Sequence, residues 1–188
     1  KELELNMKNE KFLQDSKTSI DDLINNNTKI IELITILENT RTTRNNIFVI
    51  GNGGSSATAS HFVCDLLKTS INENKPRFRA QSLTDNTPVM TAWANDTSYD
   101  NIFSEQLKNF VEDGDIIIAI SCSGNSTNVL NAVKEAKKRG IKTIGLTGKS
   151  GELNNIVDLC IAIPSSNILL IEGIHSVLLH YITEELRG

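Results

Sequence analysis

The sequence predicts an α/β protein, a parallel β-sheet covered by helices on both faces. Three observations carry this. Short apolar segments alternate with helical patterns from residue 46 onward, and such alternation builds strand–helix–strand units. Asp115-Ile-Ile-Ile-Ala-Ile and Lys142-Thr-Ile-Gly-Leu-Thr are nearly unbroken apolar runs, as strands buried on both faces require. The first strand candidate, ending at Ile50, runs into Gly51-Asn-Gly-Gly-Ser-Ser and then a helical pattern.

The elements follow in order. Residues 1–43 are polar but carry helical spacing. Leu13, Ile20, Leu23 and Ile24 fit one stripe; Ile30, Ile31, Leu33, Ile34, Ile36 and Leu37 fit another. Interruptions are expected at Asp15-Ser-Lys and Asn25-Asn-Asn-Thr. This gives two N-terminal helices, packing on the domain formed by residues 44–188 or on another subunit. Strands are expected at 46–50, 77–82, 115–120, 141–147 and 157–163. Helices are expected at 55–68, 99–111, 126–139 and 167–187, with a short turn of helix near 87–93. Ligands of such sheets bind at the carboxyl ends of strands. The loops at 51–56, 83–86, 94–98, 121–127 and 147–151 should therefore share one rim.

Composition bounds the function. The chain has 188 residues, 39% hydrophobic and 22% charged, enough for one domain with a real core. A net charge of −4 argues against a nucleic-acid binder, which needs a basic stripe. No apolar run approaches a membrane span, and no secretory signal opens the chain. Cys64, Cys122 and Cys160 form no C-x-x-C pair, which points to reduced thiols in the cytoplasm. Cys122 has a nucleophile's chemistry, but a small loop-packing residue is the better reading.

The turn after the first strand presents backbone N–H groups at a helix N-terminus, a site for an anion, usually phosphate. It is not the dinucleotide fingerprint, because Ser56 stands where the third glycine belongs. Ser121-Cys-Ser-Gly-Asn-Ser-Thr repeats the logic after the third strand. Ser126 alone reads as an N-cap; two such loops on one rim read as a cradle for a phosphate monoester. Thr147-Gly-Lys-Ser imitates a P-loop, but Thr143 replaces its first glycine.

His61 and Asp65, four apart, share a helix face. Glu172 and His180, eight apart, lie about 80° around the last helix, at about 100° per residue. His175 points elsewhere and reads as structural. His61, Asp65, Glu172 and His180 are competent ligands for a divalent metal such as zinc, and competent acid and base partners. Whether the two helices meet is open at this point.

Taken together, Gly51-Asn-Gly-Gly-Ser-Ser, His61 with an acid four on, Asn95-Asp96, Ser121-Cys-Ser-Gly-Asn-Ser, Leu146-Thr-Gly-Lys, and His175 with His180 resemble the sugar isomerase (SIS) family, most closely its phosphoheptose isomerases. The resemblance covers nearly the whole chain. It implies a three-layer α/β/α fold with a five-stranded parallel sheet and an N-terminal helical extension. It implies a homotetramer with active sites at subunit contacts, acting on a small-molecule sugar phosphate. The implied reaction converts sedoheptulose 7-phosphate to the aldose phosphate, for heptose in surface polysaccharide such as lipopolysaccharide or capsule. It maps zinc ligands to His61, Asp65, Glu172 and His180, and the acid–base pair to Asp65 and His180. Substrate contacts map to Asn52, Gly53, Gly54, Ser55, Asn95, Asp96, Ser121, Cys122, Ser123, Ser126 and Glu172.

The chain departs from the family's pattern. Asp65 replaces a usual Glu and Glu172 a usual Gln. Gly173 replaces an acid and Cys122 a common Thr. The Arg often found after the first motif helix is absent, Lys68 being the nearest cation. These departures leave room for another heptose or octose phosphate as substrate. A non-catalytic phosphosugar-binding or protein-docking module is a second alternative, against which the presence of His180 favours the enzyme, and a phosphosugar epimerase or lyase is a third.

Overall fold

The computed structural model describes residues 2–188, with side chains described from Glu10 onward. Five strands form one parallel sheet: β1 (Asn46–Gly51), β2 (Arg79–Ser82), β3 (Ile116–Ser121), β4 (Lys142–Thr147) and β5 (Leu159–Ala162), in the order β2-β1-β3-β4-β5. Each strand lies within two residues of its expected bounds. Around the sheet stand α1 (Glu2–Asn25), α2 (Thr28–Thr43), α3 (Gly54–Cys64), α4 (Thr87–Asp96), α5 (Ser104–Phe110), α6 (Thr127–Lys138), α7 (Leu153–Ile156) and α8 (Ile168–Arg187).

Alternation along each strand splits the core in two. Ile47, Val49, Ile116, Ile118, Ile144 and Leu146 face one layer, where they meet α2, α3 and α8. Phe48, Ile50, Ile117 and Ala119 face the other, against α5 and α6. The arrangement is the three-layer α/β/α sandwich. Strand order reverses between β1 and β3, so the crevice outside their carboxyl ends is the topological switch point, where such sheets bind ligands. Gly51 at the end of β1 pairs with Ile120 near the end of β3, which brings their following loops side by side.

Three expectations need correction. The break at Asp15-Ser-Lys does not occur, and α1 is continuous over 24 residues. There Lys11 pairs with Asp15 one turn on, and the Ser16 hydroxyl donates to the Phe12 carbonyl, 2.8 Å away. These polar residues satisfy themselves within the helix. The helix expected at 99–111 is a 3₁₀ turn, Tyr99–Asn101, followed by α5. The helix expected to reach 68 leaves α geometry at Asp65 and ends in a π-helical turn, Asp65–Thr69.

Candidate active site

The loop after β1 turns at Gly53, whose φ of 54° and ψ of −122° is a conformation that side chains strongly disfavour. Gly51 is needed for a different reason: a Cβ there would lie 2.6 Å from the Ser55 carbonyl oxygen. The Ser55 and Ser56 N–H groups fold back onto Asn52 and Gly53, while those of Gly53 and Gly54 have no backbone partner among the described residues. They open at the positive end of α3.

The loop after β3 faces this turn. The Ser126 hydroxyl does not cap α6; it lies 3.2 Å from the Ser121 hydroxyl. Asn52, Ser55, Ser121, Cys122, Ser123, Ser126, Ile168 and Glu172 line one cavity of about 160 Å³. No Lys or Arg is in its lining. The Cys122 sulfur is 3.9 Å from the Ser55 hydroxyl. Burial pushes this thiol up from its ordinary value, and the Glu172 carboxylate adds to the effect. A neutral thiol is a weak nucleophile, so Cys122 serves as lining.

The two loops are tied by a pair of amides that the sequence did not reveal. Asn52 Nδ2 donates to Asn128 Oδ1 and Asn128 Nδ2 to Asn52 Oδ1, each at 2.8 Å. Tyr99 also donates its hydroxyl to Asn52 Oδ1, at 3.0 Å. The Asn52 side chain is thus a brace between β1, α6 and the 3₁₀ turn. Nothing in local spacing connects residues 76 positions apart.

α3 and α8 run side by side in the same direction. Near their N-terminal ends Glu172 packs against Gly54. Further along, His61, Asp65 and His180 come together, their potential ligand atoms all within 4.8 Å of one another. Asp65 Oδ2 is 3.8 Å from His61 Nε2 and 3.7 Å from His180 Nε2. The imidazoles meet edge to face with centroids 4.9 Å apart. Asp65 is buried and both histidines are exposed. Thr58, Phe62, Ser176 and Leu179 line the remaining wall. Ser176 lies midway between Glu172 and His180, so the same four-residue spacing could have found it.

Glu172 does not join that group. Its spacing of eight from His180 puts both on one broad face, but separates them by about 12 Å of helix rise. Asn95 and Asp96 also stand outside both cavities. They are exposed at the end of α4, where Asn95 Nδ2 donates to Asp96 Oδ1 at 2.8 Å. His175 is fully buried and lies 3.2 Å through Nε2 from the Thr147 carbonyl oxygen. As that ring nitrogen must donate, its Nδ1 is a bare acceptor, with no hydrogen-bond partner. Burial lowers its pKa from 6.5 to about 4.

Fold and site together define an α/β protein with a hydroxyl-lined cavity at its strand ends and an imidazole–carboxylate group between α3 and α8. Residues 11–148 match the SIS domain family model, and the chain belongs to that family. A probable phosphoheptose isomerase of Thermoplasma acidophilum is 40% identical over 155 residues, 82% of this chain and 85% of the relative. The phosphoheptose isomerase of Thiobacillus denitrificans is 41% identical over 138 residues, 71% of this chain and 70% of the relative. Among solved structures, a phosphoheptose isomerase from Francisella tularensis superposes with a TM-score of 0.87 at 29% identity, covering 97% of this chain and 96% of the other. One from Neisseria gonorrhoeae gives 0.86 at 26% identity, covering 98% and 97%.

Proposed function

We propose that the chain is an aldose–ketose isomerase that converts sedoheptulose 7-phosphate to D-glycero-D-manno-heptose 7-phosphate, for heptose in surface polysaccharide. One observation carries the reading: the hydroxyl cavity and the His61–Asp65–His180 group are both lined by α3 and α8, at successive positions along the two helices. An extended sugar phosphate can place its phosphate at one end and its carbonyl at the other.

Each residue then has a task. Ser121, Ser123, Ser126 and the free N–H groups of the 51–55 turn hold the phosphate. Asp65 takes the proton from the carbon beside the carbonyl, exchanges it with solvent at the enediol stage, and delivers a proton to the former carbonyl carbon. His180 moves a proton from the hydroxyl to the carbonyl oxygen through the enediol. Atoms balance, since each proton removed from the sugar is matched by one delivered to it.

The donor set fits a metal. Tetrahedral zinc with N and O ligands places neighbouring donor atoms roughly 3.3 Å apart; the Asp65 oxygen lies 3.8 and 3.7 Å from the two imidazole nitrogens, and all three donors lie within 4.8 Å of one another. Three protein donors with an open position is the usual make-up of a catalytic zinc site. When bound, the ion would polarise carbonyl and hydroxyl oxygens of the substrate. His61, Asp65 and His180 would hold it; Glu172 is placed for the substrate side.

The assembly we propose is a homotetramer. α4 has no fully buried residue, and Leu13, Ile24, Ile31, Leu169, Val177 and Tyr181 are exposed, apolar side chains that subunit contacts would cover. Asn95 and Asp96 would then act at a subunit contact. Cys64, Cys122 and Cys160 are free thiols, which supports a cytoplasmic setting. No described helix is long and apolar enough to cross a membrane.

The test is incubation with sedoheptulose 7-phosphate in D₂O, followed by NMR. Deuterium should enter C1 with wild-type protein and fail to enter with His180→Ala. The Glu172 carboxylate in the phosphate cavity favours including other seven- and eight-carbon ketose phosphates. Exchange with none of them, with or without added zinc, would reject the isomerase reading.

A further inference from the structure

The two oxygens of Asp65 have different surroundings. Oδ2 faces both imidazoles. Oδ1 accepts a hydrogen bond from Thr69 Oγ1 at 2.8 Å. That bond is unlike the usual behaviour of threonine in a helix, where the hydroxyl returns to the carbonyl four residues back. In this chain Thr35, Thr40 and Thr183 do so, donating to Ile31, Ile36 and Leu179 carbonyls. At Thr69 the corresponding Asp65 carbonyl is taken by the Ser70 N–H at 2.9 Å, the closing bond of the π-helical turn. The Thr69 hydroxyl is instead turned to the carboxylate.

The turn is anchored from outside. Arg41 is 1% exposed. Its guanidinium donates to the Ser70 carbonyl at 3.3 Å, to Pro76 at 2.6 Å and to Leu186, in the last turn of α8, at 3.0 Å. One buried cation thus ties the π-turn that carries Thr69 to the helix that carries His180. Single π-turns of this kind cluster at functional sites.

We propose that Thr69 is a positioning residue, which occupies Asp65 Oδ1 so that only Oδ2 is presented to His61 and His180. Asp65 then acts as a one-oxygen donor of fixed orientation. This rests on the metal-assisted isomerase reading given above. Outer partners of ligating carboxylates fix their geometry, and losing one typically costs about 10–100-fold in metal affinity.

The experiment is titration of the metal-free protein with Zn²⁺ by calorimetry and with Co²⁺ by visible absorption, for wild type, Thr69→Val and Thr69→Ser. Valine keeps the shape and removes the donor; serine keeps the donor. The expected result is a 10–100-fold loss of Zn²⁺ affinity and altered Co²⁺ bands in Thr69→Val, both largely restored in Thr69→Ser. Thr69→Val with a lowered melting temperature but unchanged affinity and bands would show a purely structural hydroxyl and overturn the inference. A wild type that binds neither ion overturns the metal reading, and this inference with it.

Discussion

His175 should make the fold acid-sensitive in a window of its own. Its imidazole is buried, neutral, and held at a pKa of about 4 against an ordinary 6.5. The native state therefore resists a proton that the unfolded chain accepts. Stability contributed by the neutral ring is fully present above pH 6.5. It falls as the pH drops through that value, and levels off below about 4. At about 1.4 kcal/mol per pKa unit, moving from pH 7.5 to 4.5 removes roughly 2.5 kcal/mol from this residue alone. His175→Asn can still donate to the Thr147 carbonyl but does not titrate. Urea unfolding of both proteins at several pH values and one fixed protein concentration isolates the term, because His61, His180 and all carboxylates are common to both. The stability of the wild type relative to the variant should fall by about 2.5 kcal/mol over that interval. A difference between the two proteins that does not change with pH would refute the assignment of a buried neutral ring.

The Glu172 carboxylate lies in a cavity meant for an anion, so Glu172→Gln should tighten competitive inhibition by inorganic phosphate roughly tenfold at low salt; unchanged or weaker inhibition contradicts that placement. Gly51→Ala puts a methyl 2.6 Å from the Ser55 carbonyl oxygen. It should cost about 1–3 kcal/mol and raise KM, whereas Gly173→Ala, where a Cβ meets nothing within 4 Å, should leave KM unchanged. Leu169 is 71% exposed; light scattering at micromolar concentration should show a tetramer for wild type and smaller species for Leu169→Glu, and a wild-type monomer would exclude the proposed assembly.

Much of this architecture is legible from local rules. The runs at 115–120 and 142–147 read as strands covered on both faces, and they are β3 and β4. The glycine turn and the serine loop announced themselves because each joins a strand end to a helix start. The four-residue spacing of His61 and Asp65 was enough to place them on one face. What local rules miss is distance along and between helices. Glu172 and His180 share an angular sector, yet angle says nothing of the two turns of rise that put one at the phosphate cavity and the other beside Asp65. The π-turn at Asp65 is equally silent, since Asp-Leu-Leu-Lys-Thr reads as ordinary helix. The Asn52–Asn128 brace depends on β1 and β3 being neighbours, a fact of topology.

The cavity proposed to take the phosphate has no cation in its lining, and the Glu172 carboxylate would oppose that ligand. Two helix N-termini and neutral hydroxyls bind a phosphate dianion through modest terms, each short-ranged. Phosphate binding alone is therefore a weak source of affinity. On the proposed reading the rest comes from the sugar hydroxyls between the two sites and from the group around Asp65. Those contacts are realised only by a chain long enough to reach both ends. Binding energy from parts of a substrate far from the reacting centre can be expressed as rate rather than as ground-state affinity. On the proposed reading, a five-carbon ketose phosphate seated by its phosphate leaves its carbonyl short of Asp65, so its loss should appear in kcat more than in KM. Such a site selects length through catalysis, and the weakness of its phosphate end is what lets it do so.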